Sequence, residues 1–213
     1  MKISKAWIAC AVIVLVIIID QIIKIWVKTH MYWSEDIEVF SWFHLRFVQN
    51  NGMAFGMELG SKLFLTLFRI VAVAVLIWVI CRLCRNDRFP RGLVASVALI
   101  TAGAAGNIFD CVFYGEIFSN PYPPEIAQFV PWGQGYSSLF HGLVVDMFYF
   151  PLFSFVWPDW MPFLAGRTFS FFDPVFNFAD AAITVGMAVL IIFYSKYLGG
   201  SHDKALPADN QQQ

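Results

Sequence analysis

Four stretches of this chain, residues 6–27, 63–83, 93–113 and 175–194, are apolar enough and long enough to cross hydrocarbon. At 1.5 Å of rise per residue, about 20 residues span the roughly 30 Å core of a bilayer. Lipid offers no partners to backbone polar groups, so segments of this kind must be helices. Composition agrees: 59% of the 213 residues are hydrophobic, 14% are charged, and mean hydropathy is +0.64. A soluble domain carries about a quarter charged residues. The expected fold is an all-α membrane protein, a four-transmembrane-helix bundle. It forms one integral domain over residues 1–198, with a polar, disordered tail at 199–213. The first span starts like a signal peptide, with Lys2 and Lys5 ahead of an apolar run. Asp20, Gln21 and Lys24 then stand where a small-x-small cleavage site would be, so the span is read as uncleaved.

Basic residues set the orientation. Lys2 and Lys5 precede the first span, Arg82, Arg85, Arg88 and Arg91 join the second and third, and Lys196 and Lys204 follow the fourth. The positive-inside rule makes these three segments, and hence both termini, cytoplasmic. The connections at 28–62 and 114–174 are acidic and aromatic, and are expected on the outer side. In the first, Phe43, Leu45 and Phe47 alternate with His44, Arg46 and Val48, the period of a short strand, and Asn50-Asn51-Gly52 signals a turn. The second is long, aromatic and proline-rich, and is expected to form a partly ordered interfacial cover.

Asp110 and Asp180 each lie inside an apolar segment, where a carboxylate costs on the order of 3 kcal/mol to insert and usually serves function. Counted from the basic ends, Asp20, Asp110 and Asp180 sit fifteen, nineteen and sixteen residues deep. These are rises of roughly 22, 28 and 24 Å, within about one helical turn of each other. Two facing carboxylates are sufficient apparatus for acid/base hydrolysis. Asn107 precedes Asp110 by one turn and Asn177 precedes Asp180 by the same spacing. Each amide is placed to hold a substrate carbonyl or to orient its acid. Gly103 and Gly106 suit close helix packing. Asp20 and Lys24 form an i, i+4 ion pair, structural or substrate-positioning, and Asp146 reads as a solvated interfacial acid.

The net charge of −1 leaves no basic face for nucleic acid. Four scattered cysteines (Cys10, Cys81, Cys84, Cys111) form no disulfide framework. Cys81-x-x-Cys84 lacks the second pair a zinc site needs, and the histidines show no metal spacing. Arg69, inside the second span, is read either as the partner of an acid or as a residue of the bundle interior.

Taken in order, Asp20-Gln21-x-x-Lys24, Asn50-x-Gly52-x-Ala54-Phe55, Gly103-x-x-Gly106-Asn107-x-x-Asp110, Val144-Val145-Asp146 and Phe176-Asn177-x-Ala179-Asp180-x-x-Ile183 resemble the motifs of one family. That family is the lipoprotein signal peptidases (signal peptidase II), membrane aspartyl proteases of four spans. The resemblance implies that Asp110 and Asp180 are the catalytic dyad. Asn50, Gly52, Asn107, Asn177, Asp20, Lys24 and Asp146 are the expected substrate-binding residues. It further implies a bacterial prolipoprotein substrate carrying diacylglycerol on its cysteine and cut just before it. No metal or other cofactor, no nucleic acid, and no partner beyond substrate and membrane lipid is expected of a monomer working near the extracytoplasmic face of the inner membrane. Two departures stand out: Cys111 replaces the arginine usual after the first aspartate, and the segment between the aspartates is far longer than usual. The competing reading, a small proton-coupled transporter, predicts acids near the midplane and an internal repeat. Neither is evident.

Overall fold

The computed structural model describes residues 3–51, 62–163, 165–171 and 173–197. Four of its helices are long and apolar enough to span a membrane: Lys5–His30, Lys62–Arg85, Arg91–Ile117 and Phe178–Tyr197. The sequence segments 6–27, 63–83, 93–113 and 175–194 therefore correspond to real helices, each offset by a few residues at its ends. The expected tail at 199–213 and the Gly52 turn lie outside the described residues.

α1 (Lys5–His30) starts where the Ser4 hydroxyl accepts the Trp7 amide. Its apolar Trp7, Leu15, Ile18 and Ile22 point outward and are well exposed. Asp20, Gln21, Lys24 and Lys28 point inward and are buried. A water-soluble helix has the opposite arrangement, so the polarity of the faces itself argues for lipid around the bundle. α2 (Lys62–Arg85) is exposed over most of its length, with Thr66, Ile80 and Leu83 as its buried residues. α3 (Arg91–Phe109) is the most enclosed helix and packs most extensively on α5 (Phe178–Tyr194) and α1. Glycine permits that approach. A methyl group on Gly103 would collide with the Ala179 carbonyl, and one on Gly106 would stand 2.8 Å from Asp20 Oδ2.

At its end α3 widens into a π-helical turn, Asp110–Tyr114, and closes with the short α4 (Gly115–Ile117). Asp110, Cys111, Val112 and Tyr114 are buried in this wider turn, and such bulges commonly mark functional sites. Residues 118–143 then fold back along this turn. Gly142 donates to the Cys111 carbonyl (2.8 Å), Phe140 to that of Val112 (3.2 Å) and Ser137 to that of Gly115 (2.9 Å).

The three-stranded sheet runs β1 (Asp36–Phe40), β2 (Phe43–Asn50), β3 (Val144–Tyr149), all antiparallel, with Val48 opposite Asp146 and Asn50 opposite Val144. β2 contains the strand that the alternation at 43–48 predicted. Val27, Met31, Phe47, Tyr114, Phe118, Val145 and Met147 form the core that clamps the sheet onto α1 and the π turn. A separate two-stranded hairpin, β4 (Phe153–Val156) and β5 (Thr168–Phe171), follows. The long second connection thus contributes β3 to the main sheet and has a part on either side of it. Its first part packs into the core, and its second part is a hairpin hung beyond β3.

Candidate active site

Seven polar side chains, Asp20, Gln21 and Lys24 of α1, Asn107 of α3, Asp110 of the π turn, and Asn177 and Asp180 at the start of α5, meet at the sheet end of the bundle. Lys24 is fully buried, and its three N–H donors are all used. They reach Asp110 Oδ2 at 2.7 Å, Asn107 Oδ1 at 2.8 Å and Asp20 Oδ2 at 2.9 Å. Asp20 Oδ1 accepts the Ala179 amide at 2.9 Å, placing a carboxylate at the N-terminal end of α5 where the helix dipole favours it. Gln21 donates to Asp110 Oδ1 (2.9 Å) and Asp20 Oδ2 (3.2 Å), and its own oxygen accepts the buried Tyr114 hydroxyl (3.0 Å).

Asp110 is consequently held on both oxygens. Lys24 and the Val145 amide (3.4 Å) take one oxygen and Gln21 takes the other, with no surface exposed. The expected ion pair of Asp20 and Lys24 is present, and the enclosed Lys24 ammonium serves three acceptors of the protein itself. Lys24 is an internal counterion.

Asp146 is where the geometry departs furthest from expectation. It is 3% exposed rather than solvated. β3 carries it beside the bundle, where Asn177 Nδ2 donates to Oδ1 (2.7 Å) and Asn50 Nδ2 donates to Oδ2 (3.2 Å). Burial pushes its carboxyl up to about 7, and the charge of Asp180 adds to the rise. The two amides and Lys24 oppose it.

Asp180 lies in the first turn of α5. Asn177 caps that helix, its Oδ1 accepting the Asp180 amide at 2.9 Å. Asn107 Nδ2 donates to Asp180 Oδ1 at 2.8 Å. Asp180 is partly exposed, and among the described residues its Oδ2 accepts no hydrogen bond. Asn107 and Asn177, expected to hold substrate backbone, spend their amides on these acids and on each other (3.1 Å). The pairing is crossed: Asn107 serves Asp180 on α5, not Asp110 one turn away on its own helix.

Gln21 and Tyr114 are members of this network that sequence reasoning assigned no role. The usable signal was the adjacency of Gln21 to Asp20 on the inward face. Lys28, also fully buried, donates to Gln49 Oε1 (3.1 Å) and lies over the rings of Tyr136 (5.0 Å) and Phe118 (5.4 Å). Arg69 on α2 points Nη1 at the Cys111 sulfur at 3.6 Å, so a guanidinium does approach this position, from a neighbouring helix.

A four-span bundle with clustered acids at one end of its interior is an arrangement that suits a membrane-embedded aspartic peptidase. The family model for Signal peptidase (SPase) II matches residues 12–196. The lipoprotein signal peptidase of Porphyromonas gingivalis is 49% identical over 195 residues, 92% of this chain and 86% of that protein. The lipoprotein signal peptidase of Amoebophilus asiaticus is 36% identical, covering 89% and 78%. A bacterial membrane enzyme solved by the in meso method at 2.3 Å superposes with a TM-score of 0.60 at 22% identity, covering 93% of this chain and 94% of its own, a likeness of fold. The chain belongs to the signal peptidase II family. The transporter reading finds no support in either fold or relatives.

Proposed function

We propose that this protein removes the signal peptide from bacterial prolipoproteins carrying a diacylglyceryl cysteine, cutting the bond before that cysteine, with Asp146 and Asp180 as the reacting pair. The observation that carries the choice of pair is the contrast between carboxylates. Asp110 is wholly enclosed and bound to the Lys24 ammonium, whereas the side-chain donors to Asp146 among the described residues are neutral amides. Asp146 has its carboxyl raised to about 7 by burial and by Asp180. A general acid works best when its pKa lies near the operating pH.

In this mechanism Asp180 is ionised and takes a proton from a water between the two acids. That water attacks the carbonyl carbon of the residue before the cysteine. Asp146, protonated, gives its proton to the carbonyl oxygen. Like charges at short range keep the pair from ionising together, so the two share one proton. Collapse of the tetrahedral intermediate breaks the C–N bond, with a proton passing to the departing cysteine nitrogen. Asn107 and Asn177 hold the acids at fixed angles, and Lys24 with Asp20 and Asp110 supports Asn107 from behind.

The same reading gives a multi-pass protein of the bacterial inner membrane, both termini cytoplasmic, with the site near the extracytoplasmic face. The basic residues at 82–91 and beyond residue 195 support that orientation. The test is a gel-shift cleavage assay on a diacylglyceryl-modified prolipoprotein with folded Asp146→Asn and Asp180→Asn variants. Both should lose cleavage entirely, while wild type should be indifferent to a metal chelator. Substantial residual cleavage in either variant would overturn the pair.

A further inference from the structure

We propose that the β4–β5 hairpin is an interfacial paddle whose aromatic tip lies in the same bilayer that surrounds the helices. The inference goes beyond the peptidase reading and does not depend on which acids react.

The excursion that carries the hairpin is pinched at its base. Phe148 and Phe176 exchange backbone hydrogen bonds, N–H to O at 2.8 and 3.1 Å. The pinch lies two residues past Asp146 and two before the start of α5 at Phe178. The hairpin is therefore hung directly from the end of a membrane span. Its strands pair Phe153 with Phe171 and Phe155 with Phe169, and the Phe155 ring packs on Trp157 (4.9 Å) and Phe169 (5.2 Å). Beyond them the tip is ordered by bonds from Trp157 to the Arg167 carbonyl (2.9 Å) and from Gly166 to that of Trp157 (3.1 Å).

This ordered tip turns its apolar groups outward. Trp160 is 79% and Phe163 94% exposed, and Leu152 and Val156 are also well exposed. Phe163 is held at a φ of 70°, a left-handed conformation unfavourable for a bulky residue, with its ring directed away from the protein. Residues 150–171 contain two charges, Asp159 and Arg167. A two-stranded hairpin is marginal in water without a further layer, and a soluble surface rarely presents so large an apolar patch. Something apolar must cover it.

Continuity with the lipid face identifies the occupant as lipid. Phe176 stacks on Phe150 (5.7 Å), Phe150 on Trp42 (6.2 Å) and Trp42 on Phe40 (5.4 Å), the last two exposed. This ridge runs from Phe176, at the mouth of α5, over Phe150 at the base of the hairpin to the β1–β2 turn, and the outer face of α5 itself shows exposed Val185, Ile191 and Ile192. Tryptophan favours the headgroup level. Ten extended residues from Phe150 to Trp160 reach at most about 33 Å, ample to enter that layer.

The test places p-benzoylphenylalanine at Phe163, and separately at Trp160, in the full chain reconstituted into phosphatidylethanolamine–phosphatidylglycerol vesicles. After irradiation, intact-mass spectrometry should show one added phospholipid at both positions, with prolipoprotein cleavage retained. Adducts to a second copy of the chain or to the prolipoprotein in place of lipid, or no lipid adduct at either position in cleavage-competent protein, would overturn the proposal.

Discussion

Two neighbouring acids should respond oppositely to the same substitution. Asp110→Asn removes one of the two charges that neutralise Lys24, a fully enclosed ammonium. Breaking a buried ion pair costs about 3–5 kcal/mol. Asp20 remains at 2.9 Å, so the loss falls at the lower end, about 3 kcal/mol, or roughly 6–12 °C in Tm for a chain of this size. Asp146→Asn differs in sign. The Asp146 carboxyl sits at about 7 in the folded protein, against about 4 in an unfolded chain. Folding thus binds its proton more tightly, a stabilisation complete below about pH 4 and lost as pH rises through 7. By pH 8 ionised Asp146 weighs against the folded state by on the order of 4 kcal/mol. The amide lifts that burden but presents one acceptor where Asn50 and Asn177 each donate to a separate oxygen. Tm at pH 8 should therefore stay level or rise, while cleavage disappears. Thermal unfolding in detergent, followed by tryptophan fluorescence, and gel-shift cleavage on the same preparations check both. If Asp146→Asn unfolds as early as Asp110→Asn, or still cleaves, the division between counterion and reacting acid is refuted.

Three further outcomes follow from the same contacts. Because Asp146 must carry a proton to donate, kcat/KM should fall as pH rises past about 7, and a profile flat from about pH 6 to 9 would contradict its role as acid. Asn177→Ala removes the cap of α5 and the donor to Asp146. It should lower stability by about 1 kcal/mol and cleavage by about tenfold or more, measured as Tm and kcat on one sample. Gly103→Val drives a branched side chain into the Ala179 carbonyl and the Ile183 side chain. It should cost about 1–3 kcal/mol, and an unchanged Tm would mean that α3 and α5 are not packed this tightly.

The spans were legible because lipid permits few solutions. A run of some 20 apolar residues can only be a helix, and the offsets of a few residues at its ends are local capping, as at Ser4 and Asn177. β2 was legible from its alternation. The second connection was not. Its aromatics mark an interface without saying which of them pack inward. Phe118 is buried in the core with Tyr114 and Met147, while Phe163 stands in the open. The difference lies in the backbone bonds that fold residues 118–143 along the π turn, and those pairings leave no periodic trace.

The site shows a sharper limit of the same kind. Counting residues from the basic ends gives the height of an acid along its helix, and by height Asp20, Asp110 and Asp180 belong together. Which acids are tied to a cation is decided instead across helices. Lys24 takes an oxygen from each of Asp20 and Asp110, and Gln21 takes a second contact on each. Two of the three deep acids are thereby bound to the frame. Asp146 enters from a strand, where no count of helical rise would place it, and reaches the group because Val48 and Asn50 set its register. The bound acids still matter to the chemistry. The ammonium that holds them also donates to Asn107, whose other end holds Asp180. A charge-neutralising lysine thus fixes the orientation of an acid that it does not touch, and the cost of burying two carboxylates is converted into rigidity at a third.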